Sequence, residues 1–133
     1  MKRFCLAVCF LFAATISAST QEKITVATIF QSTVTAAGQP IVFPTAATEV
    51  VALMVDLPAG ADTGWHKHPY PRYAYLMSGA LTVENEAGQK QTYKAGDFVV
   101  EQTNIFHRGT ATAPTRLIVI DQDVAGKGNQ INR

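Results

Sequence analysis

Gly60-Ala61-Asp62-Thr63-Gly64-Trp65-His66-Lys67-His68-Pro69 holds two of the three histidines of the chain, and the third, His107, lies in Asn104-Ile105-Phe106-His107-Arg108-Gly109. Residues two apart on a strand project from the same face, so a strand through this stretch aims His66 and His68 at one point. His107 can close the triangle from another strand. Three neutral imidazoles suit a first-row divalent metal and leave coordination positions open. A His-X-His pair alone is a weak signal, because histidine is often a structural or surface residue. A third histidine in a similar setting, with no other histidine in the chain, makes a single metal site the leading reading.

Outward from this stretch the sequence reads as short β-branched and apolar runs: Ile24 to Phe30, Ile41 to Phe43, Val50 to Leu57, Tyr73 to Met77, Leu81 to Glu84, Phe98 to Glu101 and Leu117 to Ile120. Gly, Pro and Ser fall between them, at Gly38-Gln39-Pro40, Pro58-Ala59-Gly60, Pro69-Tyr70-Pro71, Ser78-Gly79, Gly88, Gly96 and Pro114. Helical periodicity is absent. Such spacing predicts an all-β fold closed as one antiparallel barrel. Leu81 to Glu84 and Gln91 to Tyr93 flank a turn at Ala87-Gly88 and predict a hairpin. From residue 125 to 133 the tail has no apolar pattern, and a flexible end is expected there.

The first residues stand apart. Lys2-Arg3 precedes an apolar run from Phe4 to Ala14 and then small and polar residues up to Thr20, which is the pattern of a secretory signal over residues 1–18, with a cut after 18 or 19. The run is too short to span a hydrocarbon core of ~30 Å as a helix, so no stable membrane anchor is expected. Both cysteines, Cys5 and Cys9, fall inside this segment. The exported chain would have no thiol for a disulfide or a soft metal ligand. A periplasmic or secreted location follows, with a barrel over 22–124. No basic run recommends a nucleic-acid partner.

Two spacings then matter together. Gly60 is followed after five residues by His66-Lys67-His68, Gly79 comes eleven positions after His68, and Gly96 is followed after ten residues by His107. This resembles the cupin family, whose first motif runs Gly, five residues, His-X-His, three or four residues, Glu, six residues, Gly. The second runs Gly, five residues, Pro-X-Gly, two residues, His, three residues, Asn. The resemblance extends from about Val50 to Ile120 and implies a double-stranded β-helix, the jelly-roll barrel, with the metal inside. Gly60, His66, His68, Gly79, Gly96 and His107 agree with the pattern. Arg72 stands where the family has glutamate, and Gln102, Asn104 and Ala111 replace the proline, glycine and asparagine.

Arg72 is the most consequential departure, because a guanidinium cannot ligate a metal. The fourth ligand is expected to be lost. Two outcomes are open for Arg72: it turns toward solvent, or it faces the cavity and clamps an anionic ligand bidentately. Alternation from Tyr73 groups Tyr73, Tyr75 and Met77 on one face, and Arg72, Ala74 and Leu76 on the other. Tyr70 and Tyr73 are candidates for contact with a substrate, although packing is the first reading for aromatics so placed. Asp97 and Glu101 are read first as solvated strand-end carboxylates, with a stray metal ligand or base as the weaker alternative.

The resemblance permits an Fe(II)-dependent dioxygenase acting on a small anionic substrate, a carboxylate or enolate, at His66, His68 and His107. A noncatalytic barrel that binds a small ligand or sequesters metal competes with it, as does a metal-assisted isomerase or lyase. The metal is one of Fe, Zn, Ni, Cu or Mn. Related barrels pair through edge strands, so a homodimer is expected.

Overall fold

The computed structural model describes residues 24–133, and the expected secretory segment lies outside them. Nine strands follow one another among the described residues: β1 (Thr48–Leu57), β2 (His66–Lys67), β3 (Arg72–Ser78), β4 (Ala80–Asn85), β5 (Lys90–Lys94), β6 (Phe98–Val100), β7 (His107–Ala111), β8 (Thr115–Val124) and β9 (Ile131–Asn132). They form two antiparallel sheets, ordered β1-β8-β3-β6 and β5-β4-β7-β2-β9. This is the expected all-β jelly roll. No helix of the described residues is long and apolar enough to cross a membrane.

Alternation along β8 shows how the sequence writes the fold. Thr115, Leu117, Val119, Asp121 and Asp123 are buried, and the residues between them are not. A strand of period two buries one face. Leu117 and Val119 meet Ala74, Leu76 and Val99 from the same sheet and Leu81 and Ala111 from the other, giving a small core in which Leu76 has no exposed surface. The inward face of β3 carries Arg72 in step with Ala74 and Leu76, as alternation requires. The predicted hairpin is β4 with β5, where Thr82 faces Thr92; the Asn85 side chain closes its turn by accepting from the amides of Ala87 and Gln89. Gly79 is the one glycine with no room for a side chain: its φ is +79°, and an added Cβ would strike the Pro114 carbonyl and Thr115.

Two expected strands do not form. Ile24 to Phe30 joins no ladder and is exposed throughout. Ile41 to Phe43 lies between Pro40 and Pro44, each lacking the N–H a ladder needs, and makes only an isolated bridge next to it, Val34 to Pro40. The tail departs from expectation in the opposite direction. β9 pairs with β2, and Asn129 is 5% exposed, because short polar side chains there find backbone partners in the barrel instead of an apolar surface.

Candidate metal centre

Two sheet positions bring the histidines together. His66 of β2 lies directly across the ladder from His107 of β7, and His68, just past β2, bridges to Thr103. The three rings stand 4.6 to 5.1 Å apart between centroids. All are buried, at 6%, 0% and 2% exposure for His66, His68 and His107. Each ring is held by a backbone carbonyl that takes its Nδ1 hydrogen: Gly64 for His66 at 2.8 Å, Asn129 for His68, and Ile105 for His107 at 2.9 Å. With Nδ1 engaged in this way, Nε2 is left as a lone pair, and second partners of this kind fix ring tautomer and aim in metal sites.

Glu101 completes the cluster. Its Oε2 lies 3.1 Å from His107 Nε2 and 3.3 Å from His68 Nε2, and the ligand atoms of His66, His68, Glu101 and His107 all fall within 4.8 Å of one another. The expectation of a lost fourth ligand is therefore corrected. The carboxylate has moved one strand sideways: Tyr73 pairs with Val100, and the Glu101 amide donates to the Arg72 carbonyl at 2.8 Å, so Glu101 sits across the ladder from Arg72. Cross-strand neighbours share a face, and either can present a carboxylate to the same point. The signal was in the alternation Val99-Val100-Glu101, which puts Glu101 on the face of buried Val99. Asp97 is not at the centre; its Oδ2 accepts from the Lys94 amide and caps a turn.

Arg72 follows neither expected outcome. It faces inward, but its Nε and Nη2 donate to Asp121 Oδ1 and Oδ2 at 2.6 and 2.8 Å, so that edge of the guanidinium is taken by a carboxylate of the chain itself. Asp121 lies opposite it on β8 and is 4% exposed. Asn129 binds the pair to the tail, its Nδ2 donating to Asp121 Oδ1 at 2.8 Å while its Oδ1 accepts from the Tyr70 amide. Tyr70 and Tyr73 do not line the cavity beside the histidines. Tyr73 belongs to the outer face with Tyr75 and Met77, its hydroxyl 3.4 Å from Gln122 Oε1.

The donors fit a divalent first-row cation. His68 Nε2 is buried without a hydrogen-bond partner, a cost that a cation would remove. Three imidazole nitrogens and one carboxylate oxygen suit Mn²⁺, Fe²⁺, Co²⁺, Ni²⁺ or Zn²⁺ and leave two positions of an octahedron. Burial lowers the His66 pKa, with charge on His107 and His68 adding to it and the Gly64 carbonyl opposing. Burial alone would raise the Glu101 carboxyl; a proton shared onto it from Nε2 of His107 or His68, in place of the cation that the neutral rings would ligate, outweighs burial together with the charge of Arg72 and holds Glu101 well below the usual carboxylate range. Both directions favour the forms that ligate a metal, neutral imidazole and carboxylate.

Beside the four residues lies a cavity of about 610 Å³, lined by His66, His107, Glu101 and the apolar residues of both sheets. A model of the Cupin domain family matches residues 53–121, more than half of the chain. The chain belongs to the cupin family. The match contains all four residues of the centre together with Arg72 and Asp121. Among solved cupins and other barrels of this shape, an RmlC-like cupin from Shewanella frigidimarina is 20% identical, with a TM-score of 0.52 over 59% of this chain and 69% of that one. DMSP lyase DddQ from Ruegeria pomeroyi is 20% identical, with a TM-score of 0.54 over 62% and 42%. An oxalate decarboxylase variant from Bacillus subtilis is 18% identical, with a TM-score of 0.55 over 63% and 24%. At these identities the likeness to this cupin is one of fold. No curated protein sequence matches the chain.

Proposed function

We propose that this protein is an exported mononuclear metal enzyme, in which His66, His68, His107 and Glu101 hold one divalent ion and a small carboxylate or enolate reaches it through the barrel cavity for oxygen-dependent chemistry. The observation that carries the reading is the convergence of three Nε2 atoms on Glu101 with every Nδ1 tied to a carbonyl. Ferrous or manganous ion would supply Lewis acidity and one-electron exchange with O₂. The chain's own residues do the rest. Three neutral imidazoles and one carboxylate leave a charge of about +1 on the centre, which favours a monoanionic ligand. The apolar walls keep water from competing for it. Export rests on the sequence of residues 1–18. The β1 edge, with Val50 and Met54 exposed, is where a second copy would add.

Proton abstraction of the isomerase or lyase kind has less support. Glu101 is the one carboxylate on the cavity wall among the described residues, and it belongs to the ligand set. Tyr93, also on the wall, has its pKa raised by burial and by the charges of Glu101 and Asp97, so it is a phenol that donates and not a base. The same lack of a free base favours a second reading, capture of metal or a small ligand without turnover. Metal analysis of protein purified from its own compartment, followed by oxygen uptake of the iron-loaded form with small carboxylates and enols, separates the two. Iron or manganese at one per chain with substrate-dependent oxygen uptake is the expected result. Zinc or copper without uptake leaves the binding reading.

A further inference from the structure

The cavity is apolar over most of its wall, with Val55, Leu76, Leu81, Val83, Leu117 and Val119 facing it. The guanidinium that enters it is engaged by Asp121. Lys90, at the exposed edge, stands 3.8 Å from Glu84. Both cations of the described wall therefore already face a carboxylate, and a second anionic group on a ligand would have to compete with Asp121 or Glu84 for them.

One polar group stands out against this wall. Gln102 follows Glu101, lines the cavity and is 6% exposed, yet its Nε2 is buried with no hydrogen-bond partner. Two other amide donors of the wall are paired: Asn85 Nδ2 donates to Gln89 Oε1 at 2.8 Å, and Gln130 Nε2 to Asn132 Oδ1 at 2.9 Å. The backbone around Gln102 is fixed from outside the barrel. Gln39 Nε2 donates to the Thr103 carbonyl at 2.8 Å, Gln39 Oε1 accepts from the Thr103 amide at 3.0 Å, and the Ala36 amide donates to Val100 at 2.8 Å. A buried donor left unmade lowers stability, and a ligand oxygen that drew Gln102 Nε2 out to meet it, from a backbone held next to a metal ligand, would recover that loss.

We propose that Gln102 is a specificity-determining residue for the ligand of this cavity, and that the ligand is a small monoanion with an apolar body. Its charged oxygen goes to the metal centre, and an oxygen of the same head group accepts from Gln102 Nε2. The volume, about 610 Å³, lies within the range of small-molecule sites. This deepens the reading of the metal centre and rests on it for the position of the head group.

Calorimetric titration of the Mn²⁺-loaded chain with 2-oxohexanoate and with 2-oxoglutarate tests the proposal, alongside thermal melting of the ligand-free protein. Gln102→Met is close to isosteric and removes the donor; Gln102→Leu serves if that variant does not fold. 2-Oxohexanoate should bind the parent at least tenfold more tightly than 2-oxoglutarate, and should bind Gln102→Met about tenfold more weakly than the parent. The ligand-free variant should melt several degrees higher than the parent, since an unpaired buried group is gone. A purely structural Gln102 would lower the melting temperature instead. Equal affinity for 2-oxohexanoate in parent and variant overturns the role of Gln102. Equal affinity of the two acids, or no binding of either, overturns the ligand class. Metal content is measured on every sample. A parent without metal overturns the metal centre by itself, and the same titrations on the metal-free barrel then decide Gln102 by the same criteria.

Discussion

Arg72→Glu places a carboxylate at the family's fourth-ligand position, and by spacing alone it should rebuild the metal set and tighten Mn²⁺ or Fe²⁺ binding. The structure predicts the opposite. Arg72 and Asp121 side chains are 12% and 6% exposed and joined by two hydrogen bonds, and removing one member of a buried pair costs about 3–5 kcal/mol. The new carboxylate would face Asp121 on one side and lie across the ladder from Glu101 on the other, so repulsion adds to that loss. A domain of this size has roughly 5–15 kcal/mol in total. The melting temperature should fall by roughly 10–25 °C, with no gain in metal affinity, because Glu101 already supplies the carboxylate. Arg72→Met combined with Asp121→Leu is the control: replacing both charges with apolar groups should come within about 2 kcal/mol of the parent, since Asn129 Nδ2 keeps the Pro71 carbonyl as a partner at 3.3 Å. Calorimetric melting and metal titration of the parent, the single variant and the double variant read this directly. An Arg72→Glu protein that melts within about 3 °C of the parent and holds Mn²⁺ more tightly would refute the pairing.

Glu101→Gln keeps the shape and removes the anionic donor, so divalent-metal affinity should fall at least about tenfold; metal retained after dialysis at parental stoichiometry and affinity would remove Glu101 from the set. Asn129→Ala loses the partners of Asp121 and of the Tyr70 amide and should cost about 1–3 kcal/mol in urea unfolding, yet leave metal affinity nearly intact, because His68 is held by the backbone carbonyl of Asn129 and not by its side chain. Deleting residues 129–133 removes that carbonyl as well and should weaken metal binding by about 10–100-fold; equal affinity would show that the tail does not orient His68. Burial lowers the His66 pKa from 6.5, so below that value the unfolded chain takes a proton that the folded chain resists. Its contribution to stability is complete above pH 6.5 and is lost as pH falls through the lowered value, with Glu101 adding a further loss in more acid solution. The melting temperature of the metal-free protein should therefore drop on acidification from about pH 6.5, and a rise there would contradict the buried neutral imidazole.

The histidines were legible because their information is local. His66 and His68 are two residues apart on one strand, and the glycines fix where the strands turn, so spacing alone places the rings near one another. The all-β fold was legible for the same reason: short β-branched and apolar runs such as Val50 to Leu57 and Leu117 to Ile120, set between turn residues, need no partner to be recognised. Ile24 to Phe30 and Ile41 to Phe43 show where local pattern stops being sufficient. Both have strand composition, but a strand also needs a neighbour with free N–H and C=O groups, and that depends on sheet order, which composition does not encode.

The carboxylate shows the same limit at the site. Counting along the chain can ask only what occupies position 72, whereas the metal centre responds to whatever reaches one point from any strand. Arg72 and Glu101 are 29 positions apart in sequence yet adjacent across the β3 and β6 ladder, where the Glu101 amide meets the Arg72 carbonyl. Moving the carboxylate from one strand to its neighbour keeps the donor at the centre but leaves the vacated position facing Asp121 on β8. A neutral residue there would leave Asp121 buried without a cation; arginine, with two donors on the matching edge, resolves it. The departure from the family pattern at Arg72 and the unforeseen ligand at Glu101 are thus one rearrangement of charge across three adjacent strands, and substitution at any one of 72, 101 and 121 should change the effect of substitution at the other two.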